Sequence, residues 1–527
     1  MPARVATASE TVACERATIS AGTSAQELME SAGRAAAGEI IRRFAPVLPR
    51  GAAVFTGPGN NGGDGWVVAR CLAESGFPVT VIEAASAKTD EAREAEDAAG
   101  IPAEEIQGDA PPASEPAIVV DALLGTGSTG APRDTIAAAI EIINRSRADG
   151  ATVIALDLPS GLDATTGAHE LCVEADLTLT FGVLKRGQLL AREVCGEIVA
   201  LDIGLRAPPL DALPLVVDRA WVAPRIPAIP SDSHKGTRGT LAIIAGGPGM
   251  AGAAILAGKG ALRSGVGLLR LSVAGENVAA IHGGLPEAIL QPWPEDTAAV
   301  EALAGVSDAL AIGPGLGRSP EVRDLVERVL RTWKGPVVVD ADALNVFEDD
   351  SASLAALLAG RPAIITPHPA ELGRLLGLET KDVLENRFEV GAEFARKSGA
   401  TVLLKGAPTV IFAPGGERFV SAAGTAALAT GGSGDVLTGI VGTLLTQIIA
   451  HSMNAGSSES NEAKPPSQCS AAEVAAVAAF IHGRAAELCG PVRGTTLEDI
   501  LLALPGAWNE PAEPPPPHVL ASVPAVP

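Results

Sequence analysis

The chain has 527 residues, of which 47% are hydrophobic and 19% charged, and its formal net charge is −23 at pH 7. A chain of this length exceeds one ordinary domain and holds enough apolar residues for at least two hydrophobic cores. Because no basic stretch offsets the acidic charge, the composition argues against a nucleic acid or an acidic membrane as partner.

The first part of the chain alternates short apolar runs with alanine-rich helical stretches. Runs such as AIVVD and TVIALD are apolar on both faces, which is typical of parallel strands covered by helices. Three of the six predicted strands end in Asp and are soon followed by Gly, Pro or Ser, so we expect ligands at their carboxyl ends. The predicted strands are residues 52–55, 79–83, 117–121, 152–157, 177–181 and 197–202.

A glycine-rich run, GPGNNGGDG at 57–65, directly follows the first of these strands and opens a helix. Five glycines in nine residues let the backbone approach a ligand closely and turn its N–H groups inward. The spacing does not match the dinucleotide-binding fingerprint. A plain strand-to-helix turn is the alternative, but such a turn seldom needs this many glycines together with two Asn and an Asp. We therefore predict a ligand site here.

Two further strand ends carry similar signals. DALLGTGSTG begins at Asp121 and forms a second backbone cradle suited to a phosphate or a ribose, and DLPSGLD begins at Asp157. Asn61, Asp121 and Ser160 thus offer hard oxygen ligands from three strand ends, as a hard cation requires. Each residue alone could be a turn or cap residue, but their convergence on one edge favours a cation site.

These motifs, together with LMESAG at 28–33, resemble the NAD(P)H-hydrate epimerase domain over about the first two fifths of the chain. The resemblance implies a Rossmann-like three-layer α/β/α fold that interconverts the R and S hydrates of NADH and NADPH (NADHX and NADPHX). It implies a potassium ion held by Asn61, Asp121 and Ser160. The hydrate contacts that it implies are Asn60, Asn61, Gly62, Gly63, Asp64, Gly125, Thr126, Gly127, Ser128, Thr129, Gly130, Ala131 and Asp157.

Asp157 is the predicted acid/base group of this first site. Epimerisation at a hydroxylated carbon needs a proton to be shuttled, and a carboxylate at a strand end can do so if its pKa is suitably tuned. Lys185, in the run FGVLKRG, could bind a substrate phosphate or could be a surface lysine, and the sequence leaves both open.

Six prolines between Arg206 and His234 interrupt the pattern and place a domain boundary there. We predict an epimerase-type domain at 1–215, a proline-rich linker at 216–230, a second α/β domain at 231–510 and a disordered proline-rich tail at 511–527. The small, polar segment 452–468 is predicted to be a disordered loop. The second domain's predicted strands are 240–245, 268–273, 309–312, 337–340, 363–366, 401–404 and 409–413.

The run TGGSGD at 430–435 pairs a glycine-rich turn with a carboxylate at the mouth of a helix predicted at 436–445. A helix start offers free N–H groups and a positive dipole end, which suit a phosphate. A bound phosphate would repel Asp435, so this residue would need a task such as accepting a proton from a hydroxyl. The alternative is a helix N-cap. The loop alone leaves the two readings open.

Together with HKG, GPGLG, DADALN, TPHPAE and KGAPT, this loop resembles the ribokinase-like NAD(P)H-hydrate dehydratase domain from His234 to Leu504. The resemblance implies that a nucleotide phosphorylates the hydrate hydroxyl and that phosphate elimination then regenerates the nicotinamide ring. Asp435 would be the base, and the N–H groups of Gly432–Gly434 would stabilise the transferred phosphoryl group. The implied nucleotide contacts are Lys405, Gly406, Ala407, Pro408, Thr409 and Gly434, and the implied hydrate contacts are Ala253, Gly315, His368 and Asp435.

The two resemblances together predict a bifunctional repair enzyme that uses ADP, with Mg²⁺ accompanying the nucleotide. The ADP preference and an expected homo-oligomer come from similarity to fused family members. The first alternative is a ribokinase-type kinase of a vitamin precursor with a regulatory nucleotide-binding N-terminal domain. The second is a non-enzymatic first half that senses a nucleotide or binds a partner and regulates the second half. Six scattered cysteines without a CxxC pair, no apolar signal core and no membrane-length stretch predict a cytoplasmic protein.

Overall fold

The computed structural model describes residues 2–106, 116–128, 130–206, 208–450 and 469–526. The chain forms two compact units, residues 1–218 with 514–526 and residues 219–513, which we call the first and second unit. The predicted polar loop at 452–468 lies outside the described residues. Within the described ranges, every helix is too short or too polar to cross a membrane.

The first unit is a mainly parallel sheet with helices on both faces. The unit begins with β1 (Val5–Ala6), and the sheet contains β2 (Ala52–Thr56), β3 (Val79–Glu83), β4 (Ala103–Glu105), β5 (Ile118–Ala122), β6 (Thr152–Leu156), β7 (Leu177–Phe181) and β9 (Glu197–Leu201). Strand β8 (Leu184–Lys185) pairs with β1 in a separate two-stranded sheet, and β10 (Leu215–Val216) lies outside both sheets. Its helices are α1 (Ala8–Ser20), α2 (Ala25–Phe44), α3 (Asn60–Glu74), α4 (Asp90–Ala99), α5 (Asp134–Ala148) and α6 (Arg186–Leu190).

Successive side chains of a strand point to opposite faces of the sheet, and this alternation forms the two hydrophobic cores of the unit. Ile118 and Val120 of β5 belong to the apolar cluster formed with α2 and α3, whereas Val119 belongs to the cluster formed with α5. The order β4-β3-β2-β5-β6-β7-β9 reverses direction between β2 and β5. Open α/β sheets bind ligands at such a reversal, at the carboxyl ends of the strands. The predicted three-layer α/β/α class is confirmed.

The C-terminal tail differs from its predicted disorder. Residues Val519–Val523 form an antiparallel strand beside β9, with Ala521 and Val523 buried. Ser522 Oγ donates to Glu197 Oε1 (2.7 Å), and Arg43 donates to both oxygens of the same carboxylate (2.8 and 2.9 Å). The prolines flank this run without entering it, so its alternating pattern can occupy the open edge of the sheet.

Deleting residues 514–527 is expected to lower the free energy of unfolding of the first unit by about 2–3 kcal/mol, because burial of one valine alone contributes about 1.5–3 kcal/mol. Calorimetry of the full-length and shortened chains would measure this loss. The control is Ser522→Ala, which removes only an exposed hydroxyl and should change stability by about 0.5 kcal/mol or less. An unchanged unfolding transition in the shortened chain would contradict this role for the tail.

The second unit is another α/β sheet, in which β18 and β19 run antiparallel to their neighbours and the other strand pairs are parallel. Its strands are β11 (Thr240–Ile244), β12 (Leu268–Ser272), β13 (Ile289–Gln291), β14 (Ala309–Ile312), β15 (Val337–Val339), β16 (Ala363–Ile365), β17 (Thr401–Leu404), β18 (Thr409–Phe412) and β19 (Arg418–Ser421). Its helices are α7 (Arg219–Val222), α8 (Ala251–Arg263), α9 (Val278–Gly284), α10 (Thr297–Ala304), α11 (Pro320–Thr332), α12 (Asp342–Asn345), α13 (Ser351–Leu358), α14 (Pro369–Leu376), α15 (Thr380–Glu385), α16 (Ala392–Ser398), α17 (Ser433–Leu444), α18 (Ala471–Leu488) and α19 (Leu497–Asn509).

The predicted linker at 216–230 contains regular structure. It includes α7, whose Trp221 is buried with its ring centroid 5.4 Å from that of Phe419. The prolines of this stretch fall after that helix, so proline content alone misplaced the start of the second unit.

The strand order of the second unit also reverses, between β11 and β14. Helix α17 lies close to α8 because both helices carry glycine at the crossing. A β-carbon on Gly439 would lie 2.0 Å from the carbonyl oxygen of Ala257, and one on Gly260 would lie 2.4 Å from that of Val436. This close packing fixes the first turn of α17, which begins at Ser433, three residues before the predicted start.

Candidate active sites

Two of the three predicted cation ligands of the first unit, Asn61 and Ser160, meet at the backbone carbonyl of Leu124, and Ser160 connects them to the third, Asp121. Asn61 Nδ2 donates to the oxygen of Leu124 (3.0 Å), and Ser160 Oγ lies 3.2 Å from the same oxygen. Ser160 Oγ also donates to Asp121 Oδ1 (2.6 Å). Asn61 Oδ1 is buried and has no hydrogen-bond partner among the described residues. This unsatisfied oxygen beside a buried carboxylate fits a bound monovalent cation of the kind that oxygen ligands hold.

The electrostatics of this cluster agree with that fit. Burial raises the pKa of Asp121 to about 6, although hydrogen bonds from Ser160 and Leu123 oppose the shift. A carboxylate with no exposed surface is costly to ionise unless a positive charge lies beside it. The cluster therefore has the chemistry of a cation site that the protein alone leaves incomplete.

The glycines of the GPGNNGGDG run are required by close packing. A β-carbon on Gly57 would lie 1.9 Å from the carbonyl oxygen of Leu123, and one on Gly62 would lie 2.0 Å from that of Gly57. The start of α3 can therefore approach the end of β5, which brings Asn61 to Leu124. The same close packing therefore forms the strand-to-helix turn and brings Asn61 to the predicted ligand site.

Asp157 lies directly after β6 with a left-handed backbone conformation (φ 65°). Its Oδ2 accepts hydrogen bonds from Thr126 Oγ1 (2.5 Å) and Thr126 N (3.0 Å), and its Oδ1 forms an ion pair with Lys185. Burial would raise the pKa of Asp157, but Lys185 and Thr126 together hold it below its ordinary value. Asp157 is therefore an ionised carboxylate at neutral pH.

Lys185 is not a surface lysine, because its side chain has no exposed surface. Two more carboxyl groups interact with the Asp157–Lys185 pair. Burial and the charge of Asp157 raise the pKa of Asp64 well above its ordinary value, and the same causes raise the pKa of Glu15. The pairing of β1 with β8 leads α1, which carries Glu15, to this site. Glu15 could not be predicted as a site residue, because α1 contains no recognisable motif.

A cavity of about 330 Å³ opens beside these groups, between the loops after β5 and β6. Four residues of the predicted hydrate-contact segment line it: Gly125, Ser128, Gly130 and Ala131. Asn60 is exposed at the first residue of α3, and Gly127 is also exposed. Thr129 lies outside the described residues. The segment therefore borders a space open to a ligand. Asp157 lies next to Gly125, which lines this space, since a β-carbon on Gly125 would lie 3.4 Å from Asp157 Oδ2.

Lys405 organises the site of the second unit. Its Nζ donates to Asp340 Oδ1 (2.9 Å) and lies 3.7 Å from Glu371 Oε2. The other oxygen of Asp340 accepts from Thr438 Oγ1 of α17 (2.6 Å). Burial would lower the pKa of Lys405, but Asp340 and Glu371 raise it, so the ammonium stays charged. The sequence had not indicated that Thr438 and Asp340 join α17 to the strand ends.

Asp435 occupies the first turn of α17, after Gly432 in the left-handed conformation (φ 94°). The N–H of Ser433 donates to Thr430 O (3.2 Å), and the N–H of Asp435 donates to Gly432 O (3.1 Å). Burial, followed by the negative charge of Asp340, raises the pKa of Asp435 to about 7. The carboxyl group is half-buried and is poised to exchange a proton near neutral pH.

The predicted nucleotide contacts lie on one side of this aspartate. A β-carbon on Gly434 would lie 3.1 Å from Lys405 Nζ, so the glycine leaves room for the ammonium. Thr409 Oγ1 donates to Gly406 O (2.9 Å) and thereby closes the turn that contains Ala407 and Pro408. The structure thus places the turn 406–409 next to Gly434 through Lys405.

Two predicted hydrate contacts, Ala253 and Gly315, follow the two strands at the reversal of the sheet, and a third, His368, follows β16. A β-carbon on Gly315 would lie 2.8 Å from Cβ of Ala253, so these two residues are adjacent. His368 is the N-cap of α14, with its N–H donating to Glu371 Oε2 (2.8 Å). Burial, with the charge of Lys405, lowers the pKa of His368 to about 4, so its imidazole is neutral at physiological pH.

Comparison with known proteins gives the following matches. Residues 241–503 match a family described as NAD(P)H-hydrate dehydratase, and residues 25–187 match one described as YjeF-related protein N-terminus. The chain is 35% identical over 441 residues to the bifunctional NAD(P)H-hydrate repair enzyme Nnr of Moorella thermoacetica, covering 75% of this chain and 79% of that protein.

The chain also matches two further proteins. The Escherichia coli enzyme of the same name is 36% identical over 409 residues, covering 74% of this chain and 75% of that protein. The crystal structure of ADP/ATP-dependent NAD(P)H-hydrate dehydratase from Bacillus subtilis, co-crystallised with ATP and Mg²⁺, is 30% identical, with a TM-score of 0.44, and covers 55% of this chain and 95% of that chain.

Proposed function

Because the chain belongs to the family of bifunctional NAD(P)H-hydrate repair enzymes, we propose that its two units perform successive steps on one damaged cofactor. The first unit interconverts the R and S hydrates of NADH and NADPH. The second unit returns the S hydrate to the reduced cofactor at the expense of ADP. The observation that carries the proposal is the half-buried carboxyl group of Asp435 in the first turn of α17, one residue after the glycine that leaves room for the Lys405 ammonium.

Epimerisation needs one group that removes a proton and another that donates one, whichever bond to the hydroxylated carbon breaks and re-forms. Asp157 and Asp64 meet this need, because their surroundings shift the two pKa values in opposite directions. Asp157 is the base, and Asp64, whose pKa burial and the charge of Asp157 raise well above its ordinary value, is the acid. A potassium ion held by Asn61, Asp121 and Ser160 would supply the positive charge that the buried Asp121 lacks and would fix the loops of the hydrate site.

Dehydration begins when Asp435 accepts the proton of the hydrate hydroxyl and the freed oxygen attacks the terminal phosphoryl group of the nucleotide. Lys405 lies next to Gly434, so its ammonium faces the charge that develops on that group. The nucleotide leaves as AMP. The phosphorylated hydrate then loses phosphate from one ring carbon and a proton from the neighbouring carbon, and the double bond of the nicotinamide ring re-forms. The backbone N–H groups of Gly432 and Gly434 would orient the phosphoryl group at the start of α17, whereas that of Ser433 already donates to Thr430 O.

Magnesium is proposed to accompany the nucleotide. Mg²⁺ binds through one or two carboxylates together with phosphates and retained waters, and it does not need an all-protein cage. The described residues hold no group of three or more His, Cys, Asp or Glu arranged for a metal, but Asp340 and Glu371 lie together beside Lys405. Either of these carboxylates could hold the ion, which would neutralise phosphate charge when bound.

We also propose that the enzyme is cytoplasmic and forms a homo-oligomer. All six cysteines are free thiols, which agrees with a reducing cytoplasm. The family resemblance also favours a homo-oligomer, and light scattering of the purified protein would determine its mass in solution.

The pH dependence of dehydration is expected to follow Asp435. A base works only when ionised, so kcat/KM for the S hydrate should rise with pH up to a plateau, with its midpoint near the Asp435 pKa of about 7. Initial rates measured between pH 5.5 and 9 would show this rise of kcat/KM with pH. Epimerisation, followed in the same samples without nucleotide, should keep its rate to lower pH, because the pKa of Asp157 lies below its ordinary value. A dehydration rate that is flat down to pH 5.5 would contradict the assignment.

The proposed function is tested by giving the purified protein a mixture of R and S NADPH hydrates with ADP and Mg²⁺, while the absorbance of reduced nicotinamide is followed. Recovery of both epimers is expected. Recovery of the S form alone would refute the epimerase activity, and no recovery would refute the dehydratase activity. A hydrate-independent consumption of nucleotide with a vitamin precursor would instead indicate a ribokinase-type kinase.

A further inference from the structure

Lys185 is buried in the first unit and takes no part in the reaction as described so far. Its side chain has no exposed surface, although an isolated lysine is seldom fully buried. Three acceptors surround its ammonium group: Asp157 Oδ1, Thr180 Oγ1 (2.9 Å) and Phe181 O (3.5 Å). Lysine has three donors, so the fold satisfies this charge completely while keeping it from solvent.

The backbone around the pair is fixed as well. Gln188 donates from Nε2 to the carbonyl oxygen of Asp157 (2.7 Å) and accepts at Oε1 from the N–H of Lys185 (2.8 Å). Asp157 keeps its left-handed conformation, which is uncommon for a residue other than glycine, under these restraints. The base and its lysine are therefore held as one rigid assembly.

We propose that Lys185 is a positioning residue for epimerisation, which keeps the Asp157 carboxylate ionised and directed at the hydrate without touching the hydrate itself. This inference rests on the proposed epimerase activity of the first unit. An ion pair with a buried ammonium favours the charged form of a carboxylate that burial would otherwise neutralise. The hydrogen bonds from Thr126 at Oδ2 then fix the direction of the second oxygen.

The other charged groups near Asp157 make this lysine necessary. Asp64 on α3 and Glu15 on α1 both interact with Asp157 and with Lys185, and each of these carboxyl groups disfavours a negative charge on Asp157. Lys185 is the cation that these three carboxyl groups share. Without it, three buried carboxyl groups would compete, and the one that serves as base would hold its proton at neutral pH.

The test uses Lys185→Met in the full-length protein, with conversion of the pure R hydrate to the S hydrate followed by chromatography. No nucleotide is added, so the dehydratase step is silent. The acidic limb of the epimerisation profile should move from the acidic range to about pH 8, because burial without a cation raises a carboxyl pKa by about 3–5 units, so that the rate at pH 7 falls about tenfold or more. The rate should recover towards that of the wild type above about pH 9. Lys185→Arg retains the charge and should retain the limb.

The matched control is Lys88→Met, which removes the other lysine of the first unit, an exposed one, and should leave the profile unchanged. An acidic limb at the wild-type position in Lys185→Met would overturn the proposal. If that variant is inactive at every pH, the residual rates of Asp157→Asn and of the double variant decide. Equal residual rates support an action through Asp157, and a further loss in the double variant overturns it. A wild-type protein that does not convert R to S would instead refute the epimerase function.

Discussion

Replacing Asp435 with asparagine is expected to lower the rate of S-hydrate dehydration by about 10²–10⁴-fold, the usual contribution of a general base. Asparagine has nearly the same shape, so the first turn of α17 and the place of Lys405 should be retained while the proton acceptor is lost. The S hydrate, ADP and Mg²⁺ would be supplied, and the appearance of reduced nicotinamide would be followed.

The control for this prediction is Asp382→Asn, which removes an exposed carboxylate from the first turn of α15 in the same unit. That variant should dehydrate at the wild-type rate. Epimerisation should proceed in both variants. Dehydration by Asp435→Asn at more than about a tenth of the wild-type rate would mean that another group accepts the proton.

Replacing Asp157 with asparagine is expected to have two effects on the first unit. Epimerisation should fall by about 10²–10⁴-fold, because the ionised base is lost. The unit should also lose about 3–5 kcal/mol of stability, because Lys185 would remain buried without its carboxylate partner. Chromatography of the R and S hydrates and calorimetric unfolding would measure the two effects separately.

Two comparison variants make this second prediction specific. Asp149→Asn removes an exposed carboxylate at the end of α5 and should change neither property. Adding Lys185→Met to Asp157→Asn should restore much of the stability, since it removes the unpaired charge, but it should not restore epimerisation. Stability that is equal in the single and double variants would show that Lys185 is not held as a charged group.

Much of the fold could be predicted from the sequence, because its parallel strands are buried on both faces. Runs such as residues 118–120 and 153–156 are continuously apolar, and no helical periodicity competes with them. The short strands β4 and β13 were missed because they lie at sheet edges, where exposed residues carry no such pattern. The C-terminal strand was missed for a different reason, since flanking prolines dominated the composition around it.

Some residues of the candidate sites could likewise be predicted from the sequence, and others could not. Asn61, Asp121 and Ser160 each follow or end a strand of one sheet, so sequence order alone could predict that they converge. The pairs Lys185–Asp157 and Lys405–Asp340 could not be predicted, because each depends on which side chain a buried ammonium group meets after folding. Glu15 reaches its site only because β1 pairs with β8, a contact between residues almost 180 positions apart.

Complete recovery of reduced cofactor from the pure R hydrate is the most direct test of two successive activities in one chain. The purified protein would receive the R NADPH hydrate with ADP and Mg²⁺, and absorbance would be followed to its end point. We expect full conversion, with the S hydrate as a transient that chromatography detects. If the protein consumes the S hydrate when that epimer is supplied but leaves the R hydrate unchanged, the account is contradicted.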